Sequence, residues 1–240
     1  MVDHDVALAA FAEELRALGW VTELLVGGSL ATGDYVAGVS DLDLVAVADG
    51  PVDDERQAQL TELHRRLDAT VAAGLDLGCA YVDSGRREDV AVQHPTWTHG
   101  MLVQRILSLV SRAELALHGF AVFGRAPQAL FPAVTGDDVR EAARAELLGY
   151  WSWASRRPWI FLQRDMVDLG LTSMARGRHA VRTGELLTKT LAVERVAAPA
   201  WLAGQVRARR RGDVVASPRL RAAWHAWRDT RRTTNTTTAG

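Results

Sequence analysis

Leu24-Leu25-Val26-Gly27-Gly28-Ser29-Leu30-Ala31-Thr32-Gly33, followed after a short spacer by Ser40-Asp41-Leu42-Asp43-Leu44-Val45-Ala46-Val47, is the stretch that decides the fold. The apolar run over Glu23–Gly27 predicts a strand that ends in a Gly-Ser turn. Ser29 to Gly33 is long enough for about one helical turn, and the first amides of such a turn favour anions. Asp41 and Asp43 stand two apart in a second strand pattern, so their side chains share one face while Leu42, Leu44 and Ala46 share the other. Two carboxylates on one face suit Mg²⁺, which completes its octahedral shell with water and phosphate oxygens. A nucleoside triphosphate would supply those oxygens.

From Leu24 to Val47 the order strand, Gly-Ser, short helix, spacer and a strand opening on Asp-x-Asp resembles the signature of the DNA polymerase β-like nucleotidyltransferase superfamily. That resemblance implies a third carboxylate on a neighbouring strand. In Leu75-Asp76-Leu77-Gly78-Cys79-Ala80-Tyr81-Val82 the candidate is Asp76, placed on one strand face with the small Gly78 and Ala80, opposite Leu75, Leu77, Cys79 and Tyr81. Two alternatives stand beside it: Asp76 at a frayed strand start, or the role carried by Asp83 or Asp89 in the following loop.

The 240 residues, 48% of them hydrophobic, suffice for one large domain or two modest ones. The chain has no apolar run of membrane-spanning length and no basic-then-apolar start, so a cytoplasmic protein without a membrane partner is expected. The single cysteine, Cys79, lies in a strand pattern and reads as a buried, inert thiol. Residues 1–149 carry 23 acids against 11 basic residues, and residues 150–240 carry 6 against 17. This opposition suggests two units, an acidic one for metal and a basic one for phosphate, with the nucleotide between them.

Helix and strand patterns alternate over the first half: a helix over about 5–18, strands at 23–27 and 42–48, a helix over about 53–73 and the strand at 75–82. A helix is then expected over about 97–118 and a short strand at 120–124. From Gly136 only helical periods follow, broken at Pro158, Gly184, Pro199 and Pro218. The expected fold is therefore α+β or α/β. A nucleotidyltransferase-type mixed sheet with helices occupies 1–135, an all-α bundle of four or five helices 136–230, and a disordered, threonine-rich tail 231–240. The arginines at 207 and 209–211 read as solvent-facing.

Lys189 is the one lysine in a chain whose other basic residues are arginines, and an ammonium serves phosphate as a compact point charge. Phe123-Gly124-Arg125-Ala126-Pro127, Met174-Ala175-Arg176 and Thr183-Gly184-Glu185-Leu186-Leu187-Thr188-Lys189 resemble stretches of the aminoglycoside adenylyltransferases that modify streptomycin and spectinomycin. The likeness implies Mg²⁺, ATP as co-substrate, and transfer of AMP to a drug hydroxyl with loss of pyrophosphate. It also implies that Gly28, Ser29 and Ser40 hold the triphosphate. Asp41 and Asp43 would hold metal, Asp76 metal and the substrate proton, and Arg176 and Lys189 the nucleotide phosphates.

For the acceptor, Asp165, Asp168, Thr172 and Arg176 recur at helical spacing as one polar stripe. Asp165 and Asp168 are candidates for the amino groups of a cationic sugar, although pairing of Asp168 with Arg164 fits equally. Trp97, with Trp151, Trp153 and Trp159, is a candidate sugar platform or, as the need of a small domain for large apolar groups favours, core. Basic helices leave a protein or RNA acceptor as the second choice, and a nucleotide-binding protein without turnover as a third. A monomer is the expected state.

Overall fold

The protein, described over residues 4–238 in a computed structural model, divides into two compact units, 1–133 and 134–240. The first begins with α1 (His4–Ala17), whose Ala7, Leu8, Phe11, Ala12 and Leu15 recur at helical spacing and are all buried. After Gly19, at φ 76°, β1 (Val21–Val26) leads into the single turn α2 (Gly28–Ala31) and then β2 (Leu42–Ala48). Asp53 caps α3 (Asp54–Asp68) by accepting from the Arg56 amide. The strands β3 (Leu77–Asp83), β4 (Gln93–Thr98) and β5 (Met101–Ile106), helix α4 (Leu109–His118) and β6 (Phe120–Phe123) complete the unit.

The six strands form one mixed sheet in the order β5-β4-β3-β2-β1-β6. The β2–β3 pair is parallel, with α3 as its crossover, and the others are antiparallel. Alternation along β2 splits its side chains between two cores. Leu42, Leu44 and Ala46 pack with residues of α1 and α3, whereas Val45 and Val47 pack with Leu115 of α4. Asp43 belongs by register to the α4 side, at the open end of the strand.

The helix expected over 97–118 is a hairpin for its first part. His99 and Gly100 have φ of 49° and 75° and join Thr98 to Met101, a two-residue turn with positive φ at both centres, which turns the chain back on itself. The pairing of β4 with β3 ends at Thr96, beside Pro95, which has no amide to donate. Helix begins only at Leu109, where Ser108 accepts from the Ser111 amide.

The helical unit contains α5 (Gly136–Glu146), running through a π turn at Leu147–Trp151 into α6 (Ser152–Ser155), then α7 (Arg164–Thr183), α8 (Lys189–Val193), α9 (Ala200–Arg210) and α10 (Arg219–Thr238). Leu147, Trp151, Phe161, Leu171, Met174, Leu202 and Ala226 are among its core. Gly177 lets Leu147 approach α7, because a Cβ there would lie 2.9 Å from the leucine methyl. Gly184, left-handed at φ 75°, ends α7.

The disordered tail expected over 231–240 is helix through Thr238, residues 239 and 240 lying outside the described ones. Its threonines satisfy their own hydroxyls: Thr230 donates to the Ala226 carbonyl and Thr234 to the Thr230 carbonyl. Thr233 Oγ1 accepts from Arg178 at 2.6 Å. With their polar atoms bonded, Thr230, Thr233 and Thr234 are buried, so a tract that looks low in complexity packs as one side of a helix. No helix among the described residues is long and apolar enough to cross a membrane.

Candidate active site

The antiparallel register that sets Val26 against Leu44 brings the Gly-Ser turn beside the first residues of β2. The Gly27 amide donates to the Asp43 carbonyl at 2.8 Å. Gly28 is left-handed at φ 56°, and a Cβ on it would overlap the Asp43 carboxylate. Glycine is thus required twice at this position, for its backbone angle and for the space the acid occupies. Thr32 ties the turn by donating from Oγ1 to the carbonyls of Gly28 and Ser29. Ser29 is buried, and its Oγ has no hydrogen-bond partner among the described residues. A buried hydroxyl left in that state costs about 1–3 kcal/mol, which a phosphate oxygen or a water would relieve.

Ser40 is also buried, but its Oγ accepts from the Val36 amide at 3.0 Å while its own amide donates to the Val36 carbonyl at 2.8 Å. It braces the loop that delivers Asp41. Asp41 is half-buried and Asp43 exposed. The loop also carries Tyr35 into the site. Burial first, and the Asp41 carboxylate second, hold the Tyr35 phenol above its ordinary range, and its ring meets that of His4 at 4.7 Å.

Asp76 is not within the strand but directly before it, in the left-handed region at φ 48°. Its carbonyl accepts from the Leu42 amide at 3.3 Å, extending the parallel register so that Asp76 lies across from Asp41. The carboxylate is exposed and lies 3.7 Å from His99 Nδ1, at the tip of the hairpin. Burial raises the Asp68 carboxyl, the Trp97 indole opposes this, and Asp76 adds to it. Among the described residues no three His, Cys, Asp or Glu side chains are gathered closely enough to hold a metal ion. Asp41 thus directly precedes β2, Asp43 lies at its start, and Asp76 is turned toward His99.

These donors fit a divalent cation that arrives with a triphosphate. Two carboxylates on one strand face, a glycine turn against one of them and a buried serine hydroxyl awaiting a partner are what a hard ion with phosphate oxygens in its shell requires.

In the helical unit, Arg176 donates from Nε to the Leu187 carbonyl at 2.8 Å, and Lys189 is the first residue of α8, behind the capping Thr188. The Thr-Gly-x-x-x-x-Lys block thus ends one helix and opens the next. Asp165 is exposed in the first turn of α7. Asp168 is not presented to a ligand. Arg209 holds both its oxygens, at 2.6 and 2.7 Å, so Arg209 is not the solvent-facing residue that the sequence suggests. Trp97 is corrected as well, from substrate platform to core: it is 1% exposed, stacks on His64 at 4.7 Å and donates to Asp68. Trp151 is likewise buried, whereas Trp153 and Trp159 are exposed. Cys79 is buried, and burial pushes its thiol up to about 12. Tyr35 and His99 are the site residues that sequence reading missed. For His99 the adjoining Gly100 was an available turn signal, and for Tyr35 there was none.

Residues 8–75, which hold the Gly-Ser turn and the Asp-x-Asp strand of the mixed sheet, match the Nucleotidyltransferase domain family. The chain is an enzyme of the nucleotidyltransferase type. Its fold is like that of the spectinomycin adenyltransferase AAD(9) from Enterococcus faecialis, solved with ATP and spectinomycin. The TM-score is 0.68 over 96% of this chain and 99% of that one, at 13% identity. No curated protein matches in sequence.

Proposed function

We propose that the protein transfers AMP from ATP, with Mg²⁺, to a hydroxyl of an aminoglycoside-like small molecule and releases pyrophosphate. The observation that carries this reading is the contact of Gly28 with the Asp43 carboxylate beside the unpartnered Ser29 hydroxyl. Gly28, Ser29 and Ser40 bind the triphosphate, Ser29 through its hydroxyl and Ser40 by fixing the loop. Asp41 and Asp43 would hold the metal, with Asp76 as a third ligand. When bound, Mg²⁺ neutralises charge developing on the phosphate oxygens and keeps the displacement in line. Asp76 accepts the proton of the acceptor hydroxyl as its oxygen attacks the α-phosphorus. Arg176 and Lys189 are the cationic contacts to phosphate, and Asp165 is the remaining acidic candidate for the acceptor. The fold likeness to an enzyme solved with ATP and spectinomycin supports a small-molecule acceptor over other classes.

A second reading, a protein or RNA acceptor, draws on α10, where Arg221, Arg228 and Arg231 lie over the rings of Trp201, Trp224 and Trp227. Pyrophosphate release from Mg²⁺ and ATP across a panel including streptomycin and spectinomycin, with the Asp41→Asn protein as blank, separates the two. Release with a drug fixes reaction and acceptor class together. None above the blank, in protein shown to bind ATP, discards the small-molecule reading.

A further inference from the structure

Asp76 and His99 are the two residues other than glycine, among the described ones, whose backbone lies in the left-handed region, at φ 48° and 49°. Their side chains meet, with His99 Nδ1 3.7 Å from Asp76 Oδ1. The turn that joins β4 to β5 holds His99 and Gly100 at positive φ, a geometry that favours Asn-Gly, Asp-Gly or Gly-Gly. Histidine there departs from what the turn alone would select. Antiparallel pairing of Cys79 with Trp97 carries the hairpin tip to the start of β3, where Asp76 stands, so the sheet register sets the two side chains together. Both side chains are exposed, and an exposed ion pair contributes little to the fold.

The Asp76 carbonyl accepts from the Leu42 amide at 3.3 Å, which ties its main chain to β2 and leaves only the carboxylate free to choose a direction. Asp68, fixed by the Trp97 indole at 3.0 Å, stands close enough to feel the Asp76 charge, and like charges repel. Among the described residues His99 is the ion-pair partner of Asp76. A carboxylate that serves a metal needs an outer contact to fix which oxygen it presents. Such contacts are often long before the substrate complex forms and tighten within it. We infer that His99 is a positioning residue of the nucleotidyl-transfer site: it holds one oxygen of Asp76 and leaves the other for the metal or the acceptor proton. The inference rests on the role of Asp76 proposed above.

The test is binding of Mn²⁺, standing in for Mg²⁺ and read by electron paramagnetic resonance, to the full chain with a non-hydrolysable ATP analogue. The proteins compared are the parent, His99→Gly, Asp76→Gly and the double variant, and no acceptor is needed. Because both positions are left-handed, glycine removes each side chain without straining the backbone, and melting temperatures should stay close to the parental one. His99→Gly should weaken Mn²⁺ binding by about tenfold or more. Asp76→Gly should weaken it at least as much, and the double variant no further than Asp76→Gly, as expected of residues that act through one another. Parental affinity in His99→Gly overturns the inference. So does a further loss on adding His99→Gly to Asp76→Gly, which a merely structural hairpin residue would show. Failure of the underlying reading is distinct: Asp76→Gly would bind Mn²⁺ as the parent does, or the parent would not bind the analogue, and the inference falls with it.

Discussion

The two units treat their acids in opposite ways. Asp41 directly precedes β2 and Asp43 lies at its start, Asp43 exposed and seated against a glycine that leaves room for it. In the helical unit, Asp168 and Asp229 are each forked by an arginine from a distant part of the chain. The first arrangement places an exposed acid beside the Gly-Ser turn. The second joins α7 to α9 and to α10 and offers little to a ligand. An acid exposed beside a glycine turn is a better functional candidate than one held at both oxygens by an arginine.

That contrast breaks most visibly on substitution of Asp43. Asp43→Asn should lower the rate of pyrophosphate release by about a thousandfold or more, the several kcal/mol of charge stabilisation that a metal supplies. Its melting temperature should stay within a few degrees of the parent, because a like-charge repulsion is removed. A variant with parental turnover would place the chemistry elsewhere.

Asp229→Ala should do the reverse. Removing a buried carboxylate from Arg178 leaves a guanidinium without its partner and destabilises by about 3 kcal/mol or more. Denaturant unfolding would show this, while affinity of the folded protein for ATP stays at the parental value. A loss of ATP affinity at parental stability would erase the distinction between the units.

Ser29→Ala sharpens the picture on the N-terminal side alone. Because the Oγ has no partner among the described residues, its loss should leave stability unchanged or slightly raised, while KM for ATP rises about tenfold through the loss of one phosphate hydrogen bond. Destabilisation with unchanged KM would make the serine a structural residue.

A pH dependence arises from one buried histidine of the first unit. His64 is fully buried against Tyr81 and Trp97, and burial lowers it from 6.5 to about 3. The folded state therefore resists protonation. Its contribution is complete above pH 6.5 and falls as pH drops from 6.5 toward 3, by about 1.4 kcal/mol per pH unit. Unfolding free energies at pH 7 and pH 5 for the parent and for His64→Gln check this, with the flatter response expected of the variant.

The strand of the Gly-Ser turn, the β2 strand over 42–48 and the helices α1 and α3 were legible because their information is local: period two, period 3.6 and a glycine turn. The hairpin at 93–106 was missed because its first strand contains a proline and its apolar residues do not alternate cleanly. The helix over the threonine tract was missed because its hydroxyls satisfy themselves within the helix, a reward that composition does not display. Asp76 was placed within a strand that begins one residue later, since the left-handed backbone at an acid has no signature in the neighbouring residue types.

By itself, then, the sequence determined the class of chemistry. The residues that touch in the Gly-Ser turn and the Asp-x-Asp strand lie within about twenty positions, and their roles follow from spacing. Only the tertiary structure decided which acids remain available for that chemistry. Arg209 reaches Asp168 and Arg178 reaches Asp229 from helices forty or more residues away. Trp97 is core because α3 and β3 close over it. Pairings between distant segments are set by how helices pack, and helix packing leaves no periodic mark at the residues it brings together.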